Sequence, residues 1–215
     1  MPARRRDTAA RMGRPVGSTA AQTRSRIILS GRRVFSAVGY EQATMEMVAA
    51  EAGLSRAALG RYFSSKADLY ETLLADIDKS VLHNLLDEQP PGDDGTAKRL
   101  SWIFRRAGRL NAEDPSLTRF TTTAIVDGFR NPEFATLARA QIDVMRSYFD
   151  AAMVKAQREN RLPEGADPTA FADLLLATFW GLGLFGAFMD DSKALEDVMD
   201  VLVEHVIPAL LPGPR

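Results

Sequence analysis

The chain of 215 residues has no cysteine and only two histidines, and these scarcities remove whole classes of chemistry. Without cysteine there is no disulfide framework, thiolate nucleophile or cysteine metal site, and a reducing cytoplasm is the natural compartment. His83 and His205 stand far apart, and no metal-ligand cluster, glycine-rich phosphate loop or Gly-x-Ser-x-Gly elbow accompanies them. Glu204 and His205 are adjacent, so they sit on different faces of a helix and do not make the Glu-x-x-His pair of a di-iron bundle. No enzyme activity, metal or cofactor is expected. Also missing are an apolar run before Ile27, as a secretory signal would need, any segment alternating with period two, and any internal repeat.

What remains is the composition of an ordinary soluble globular protein, 46% hydrophobic and 26% charged, long enough for one large or two small domains. Its net charge of −1 hides an asymmetry: residues 1–66 sum to +8 and residues 67–215 to −9. A basic N-terminal third attracts phosphate, and the acidic remainder must face away from it.

The periodicity is helical throughout. Ile27, Ile28, Val34, Phe35 and Val38 share a face up to Gly39, which is placed to end that helix. Thr44 caps a short helix to Ala52, and Ser55 opens the next. Ser64 or Ser65 starts a longer one with Leu69, Leu73, Ile77, Val81 and Leu85 on one stripe. Further helices are expected from Thr96 to Leu110, after Asp114-Pro115, from Asn131-Pro132 to about Asn160, after Asp167-Pro168, and from Ser192 to Pro208 or Leu211. The fold class is all-α, with about nine helices.

Residues Val48 to Tyr62, V-A-A-E-A-G-L-S-R-A-A-L-G-R-Y, have the pattern of a helix-turn-helix. Ala49 permits close helix approach and Gly53 suits a left-handed turn, while Val48, Ala52, Leu54, Leu59 and Tyr62 supply apolar contacts. The second helix would carry Arg56, Ala57, Ala58 and Arg61 into a major groove, so double-stranded DNA is the expected partner.

From Thr23 to Leu69 the sequence resembles the DNA-binding domain of the TetR family of bacterial transcriptional regulators. The resemblance rests on Phe35, Gly39-Tyr40, Thr44, Val48-Ala49, Ala52-Gly53, Ser55, Leu59, Tyr62-Phe63, Lys66 and Leu69. It implies a flexible basic arm at 1–19, a helix-turn-helix domain at 20–66, and a helical effector-binding and dimerisation domain at 67–215. It also implies a cytoplasmic homodimeric repressor that leaves a palindromic operator when a partly apolar small molecule binds. A regulator without ligand response, or an activator, is the alternative.

Carried over by position, the resemblance puts Thr44 at a phosphate, Ser55, Arg56, Ala57 and Ala58 at the start of the recognition helix, Arg61 and Tyr62 in its later turn, and Lys66 at a phosphate. Arg56 and Arg61 are either base and phosphate contacts or solvated charges, and Tyr62 suits DNA contact and packing equally. The family's usual tyrosine after Leu59 is replaced by Gly60, which removes a backbone contact but lets DNA approach closely. In the arm, Arg4-Arg5-Arg6 and Gly13-Arg14-Pro15 allow either minor-groove insertion of Arg14 or simple phosphate attraction.

The uncharged segment Leu174 to Met189 is shorter than the roughly 20 residues a bilayer-spanning helix needs, and reads as a buried helix rather than a membrane span. Ala177, Gly181, Gly183 and Ala187 are small residues suited to close helix packing, in a dimer interface or in an intramolecular core. Trp102, Phe120, Met145 and Phe149 are candidates for an effector pocket, each as readily explained by plain core, with Arg119 and Asp127 as optional polar partners.

Overall fold

A computed structural model describes residues 19–77, 85–86, 95–189 and 192–212. The expectations for Arg14 and the rest of the arm up to residue 18, and for Val81, fall outside them. Among the described residues there are nine helices and no strand: α1 (Ala20–Gln42), α2 (Met45–Glu51), α3 (Arg56–Leu59), α4 (Lys66–Ile77), α5 (Thr96–Glu113), α6 (Pro115–Arg130), α7 (Pro132–Arg158), α8 (Pro168–Phe188) and α9 (Ser192–Val201). The last runs on through a π-helical turn, Leu202–Val206, into a short helix, Ile207–Leu210. Pro208 accounts for that turn: its ring is incompatible with an ordinary ladder one turn back, and the Ile207 N–H instead reaches the carbonyl of Leu202.

Local signals set most boundaries. Thr19 and Gln22 form a reciprocal capping box at the start of α1. Asp114 and Asp167 cap α6 and α8 with proline in the first turn of each, whereas Asn131 precedes α7 without a side-chain cap bond. Ser65 Oγ accepts the Asp68 N–H at the head of α4, while Asp68 receives the Ser64 N–H and hydroxyl. Those bonds, the backbone one first, hold the Asp68 carboxyl below its ordinary range.

One hydrophobic cluster joins α1 to α4 with part of the body. Ile27, Phe35, Val48, Leu59, Leu69, Tyr70 and Leu73 pack together with Phe120 and Ala124 of α6 and Phe134 of α7. The division expected at residue 66 thus falls just ahead of a helix whose buried face, Leu69 to Ile77, belongs to the helix-turn-helix core. α1 and α4 approach closely at Gly31, where an added Cβ would lie 3.1 Å from Leu73 Cδ1. A second cluster fills the body, with Phe104, Phe149 and Phe179 at centroid separations of 5.9–6.1 Å.

The segment expected to be buried, Leu174 to Met189, is not. α8 is 21 residues long, with length and apolar composition compatible with a membrane span, and few of its residues are fully buried. It packs on α6 and α7 along one side. The other side leaves Leu174, Ala177, Gly181, Leu184 and Phe188 exposed. The reason is that α8 is apolar all round, and one neighbouring layer covers only half of such a helix.

Candidate nucleic-acid interface and effector cavity

Thr44, in an extended conformation, accepts the Met47 N–H at 3.2 Å and so starts α2. The helix closes with Leu54 N–H on Ala49 O (2.8 Å) and Gly53 N–H on Ala50 O (3.0 Å), the paired bonds of a glycine C-cap, with Gly53 at φ 62°. Ser55 then accepts the Ala58 N–H at 3.1 Å and opens α3. Thr44, Ser55, Arg56, Ala57 and Arg61 are exposed on this face, and Ala58 is half-buried.

The recognition helix is shorter than its sequence pattern suggested. It ends at Leu59 with Gly60 as C-cap, so Arg61 and Tyr62 stand in the following turn and not on the helix. The N–H groups of Arg61, Tyr62 and Phe63 return to Ala58 and Leu59, which tightens the chain there. Tyr62 is half-buried against the core, the packing alternative for that residue. Phe63 is buried, with the Arg24 guanidinium 5.4 Å from its ring centroid.

Gly60 has a role that sequence reasoning missed. A Cβ there would lie 3.3 Å from Arg56 Nη1, so the space is taken by the protein's own Arg56 side chain. Arg56 folds back with Nε 3.3 Å from Glu46 Oε1 on α2. Both partners are substantially exposed, so the pair is weak and separable. Lys66, expected at a phosphate, also has partners within the protein. Its ammonium donates to the carbonyls of Tyr40 (2.8 Å) and Glu41 (3.2 Å) and lies 4.3 Å from the Tyr40 ring centroid. Those carbonyls lie in the short turn that follows the break in α1 at Gly39 (φ 73°, ψ 171°) and ends where the chain extends at Ala43, and the lysine caps them.

The same break frees the Tyr40 N–H, which donates to Asp127 Oδ2 at 3.1 Å. Tyr70 OH donates to the same oxygen at 2.8 Å. Asp127 is 4% exposed and is the polar centre of the junction between α1, α4 and α6. It is therefore neither solvated nor an effector contact. Burial raises the Tyr70 hydroxyl above the ordinary tyrosine range, the bond to Asp127 adding to it, and burial does the same to Tyr40. A second bridge joins these parts: Arg32 of α1 donates to Asp76 of α4 (2.7 Å) and to Asp114 at the head of α6 (3.0 Å). The one sequence signal for Asp127 is an acid among small and apolar residues late in α6.

The effector candidates are also relocated. Phe120 is fully buried in the cluster under the helix-turn-helix, its ring 5.4 Å from Tyr70 and 6.3 Å from Phe35. Met145 and Phe149 are fully buried in the body core, and Trp102 is packed against it. None of the four lines the apolar cavity, of about 90 Å³, that lies between α5, α6, α8 and α9. Helical periodicity marked these side chains because they face the core, and that is where they pack. The cavity wall includes Phe104, Leu110, Asn111, Thr118, Thr121 and Trp180. Gly183 is also part of this wall, its Cβ position 3.7 Å from Thr118, so it and the half-buried Ala187 lie off the exposed stripe that carries Ala177 and Gly181.

Residues 27–73 match the family model "Bacterial regulatory proteins, tetR family". A nucleoid occlusion factor, SlmA of Shewanella frigidimarina, is 29% identical over 144 residues, covering 64% of this chain and 68% of its own. Among solved structures, Salmonella enterica GusR matches with a TM-score of 0.67 at 21% identity, over 92% of this chain and 99% of its own. The FadR regulator of Bacillus subtilis, solved with stearoyl-CoA, matches with a TM-score of 0.63 at 18% identity, over 84% and 97%. With a capped helix-turn-helix set on an all-helical body, residues 27–73 are a DNA-binding domain of the TetR family of bacterial regulatory proteins, and the chain is similar to DNA-binding transcriptional regulators of that family.

Proposed function

We propose that the protein is a cytoplasmic homodimeric repressor that a small, partly apolar molecule releases from a two-fold operator. The observation that carries this reading is that α6 serves both ends of the molecule. Its first half, Leu117 to Thr122, walls the cavity, and Asp127, one and a half turns on, holds Tyr40 and Tyr70. A ligand that displaces α6 at the cavity changes the seat of α1 and α4, and with it the separation of the two recognition helices of a dimer.

In this reading Thr44, Ser55, Arg56, Ala57, Ala58, Arg61 and Tyr62 form the DNA face, and Arg56 exchanges Glu46 for a base edge or phosphate on binding. Lys66 acts by holding the end of α1, with a third ammonium proton left for a phosphate. The arm, Arg14 included, adds sequence-independent attraction to the backbone. The stripe Leu174, Ala177, Gly181, Leu184, Phe188 has the three-and-four spacing of a helix seam, and α9 adds the exposed Val198 and Val201. A second copy, rather than lipid, covers it. One recognition helix reads one half-site, so pairing through this face matches a palindrome.

The test is fluorescence anisotropy with labelled DNA from the region flanking the gene, paired with sedimentation of the free protein. A dimer that binds this DNA and loses it on adding an apolar effector supports the reading. A monomer at micromolar concentration, or DNA binding indifferent to every apolar compound tried, overturns it.

A further inference from the structure

We infer that the cavity between α5, α6, α8 and α9 takes a compact, mostly apolar molecule bearing a neutral group that both accepts and donates a hydrogen bond, of the alcohol, phenol or amide kind. This rests on the reading of the cavity as the effector site and adds what is recognised there. Trp180 Nε1 and Asn111 Oδ1 are buried without a hydrogen-bond partner, and both residues line the cavity. A buried donor or acceptor left unpaired loses its bonds to water and gains none in return, which is why protein interiors rarely keep one. Here a donor and an acceptor stand unpaired on the wall of the same cavity.

The Asn111 amide is wedged between helices: its Nδ2 is 3.4 Å from where a Cβ on Gly186 of α8 would sit, and its oxygen is the end left open. Thr121 offers a ligand no proton, because its hydroxyl donates to the Leu117 carbonyl at 2.8 Å. Phe104, Leu110, Phe179 and Leu182 supply apolar wall. At about 90 Å³ the space is smaller than the roughly 150 Å³ that admits benzene in a rigid core. Met199 is the flexible element that can widen it, its Cε lying 3.3 Å from the Cβ position of Gly108.

Gly108, Asn111, Leu195 and Met199 also line an outer cleft of about 290 Å³ containing Arg105, Arg109, Glu196 and Asp200. That cleft holds both signs of charge, and Arg105 is already bonded to Asp200 (2.8 Å) and Glu204 (3.1 Å). It is a way in past Met199 that does not select a charged head group. Recognition therefore rests first on the two buried unpaired groups inside, Trp180 Nε1 and Asn111 Oδ1.

The experiment is isothermal titration calorimetry on the full chain with 4-ethylphenol and with ethylbenzene, which differ by one hydroxyl. The wild type is expected to bind the phenol about tenfold more tightly. Trp180→Phe and Asn111→Leu should each shrink that ratio toward one while leaving ethylbenzene affinity within about twofold, with circular dichroism confirming the fold. Equal affinities in the wild type, a preference that survives both substitutions, or no binding of either compound would overturn the inference. The wild-type comparison stands even if a variant fails to fold. Preferential phenol binding that leaves DNA affinity unchanged overturns the release reading alone and supports this one.

Discussion

The hydroxyl of Tyr70 on α4 donates to the carboxyl of Asp127 on α6 at 2.8 Å, and the oxygen that receives it also receives the backbone N–H of Tyr40. Tyr70 is fully buried. Two donors from the helix-turn-helix side therefore converge on one acceptor from the body, in a place where water does not substitute for either. Tyr70→Phe keeps the ring packing against Phe35, Phe120 and Phe134 but removes one donor. The expected cost is about 1–3 kcal/mol of unfolding free energy. Asp127→Ala strands both donors and should cost at least as much. Urea denaturation of the three proteins checks the order; a Tyr70→Phe variant as stable as wild type would remove the bond from the account of the junction.

The same pair predicts an alkaline limb. Burial raises the Tyr70 and Tyr40 hydroxyls in the folded protein, so the fold binds those protons more tightly than the unfolded chain. Their contribution is fully present below the ordinary tyrosine value of about 10 and is lost as the pH rises above it. The melting temperature of the wild type should fall steeply above about pH 10, and that of Tyr70→Phe less steeply. Parallel curves would mean that Tyr70 does not titrate on unfolding. Asp68 has the opposite sign: its lowered carboxyl contributes above the ordinary aspartate range and is lost as acid protonates it.

On the proposed DNA face, Glu46 would compete with DNA for Arg56. With Arg56 Nε 3.3 Å from its carboxylate, Glu46→Gln frees the arginine and removes a negative charge beside the phosphates. DNA affinity at low salt should rise a few-fold, whereas Arg56→Ala should lower it. If Arg61 meets a phosphate, Arg61→Ala reduces the slope of log affinity against log salt by about one. Gly60 offers a separate test. It caps α3 at φ −62° and ψ −13°, a conformation alanine adopts freely, and the atom its Cβ would crowd is the movable end of Arg56. Gly60→Ala should therefore raise stability by about 0.5–1 kcal/mol. A loss of stability in thermal unfolding would mean that the Arg56 guanidinium cannot move aside.

How far the sequence could be read follows from which forces are local. Thr44, Ser55, Asp114-Pro115 and Asp167-Pro168 announce their helices because a cap is a bond between near neighbours, and all four start helices in the structure. Gly53 is legible for the same reason. Asp127 is not: its partners, Tyr40 and Tyr70, are 87 and 57 residues away, and nothing in its surroundings along the chain announces them. Lys66 follows the same rule, since the carbonyls it caps, those of Tyr40 and Glu41, lie 26 and 25 residues earlier. For the cavity the obstacle is subtler. Hydrophobic periodicity marks Phe120, Met145 and Phe149 as inward-facing but does not separate filled core from hollow, and the hollow is bounded by smaller and mixed side chains such as Gly108, Thr118 and Gly183.

The exposed stripe on α8 supplies the test of assembly. Phe188 is 79% exposed and Leu174 50%, while nothing beyond the local helix backbone lies within 4 Å of the Cβ position of Gly181 between them. If a second copy covers this face, the gap at Gly181 is where the partner helix comes closest, and a charged side chain there would be buried without a partner at the symmetry axis. Gly181→Glu should convert the dimer to monomers in sedimentation velocity, and should weaken DNA binding by at least tenfold because each monomer holds one half-site. Since the position is open in the monomer, the folded chain should keep its helical circular dichroism. Gly186→Glu is the contrasting variant: its Cβ would fall 2.8 Å from Leu195 Cδ2 inside the same subunit, so it should destabilise the monomer fold itself. A Gly181→Glu protein that remains dimeric would place the dimer contact elsewhere on the molecule.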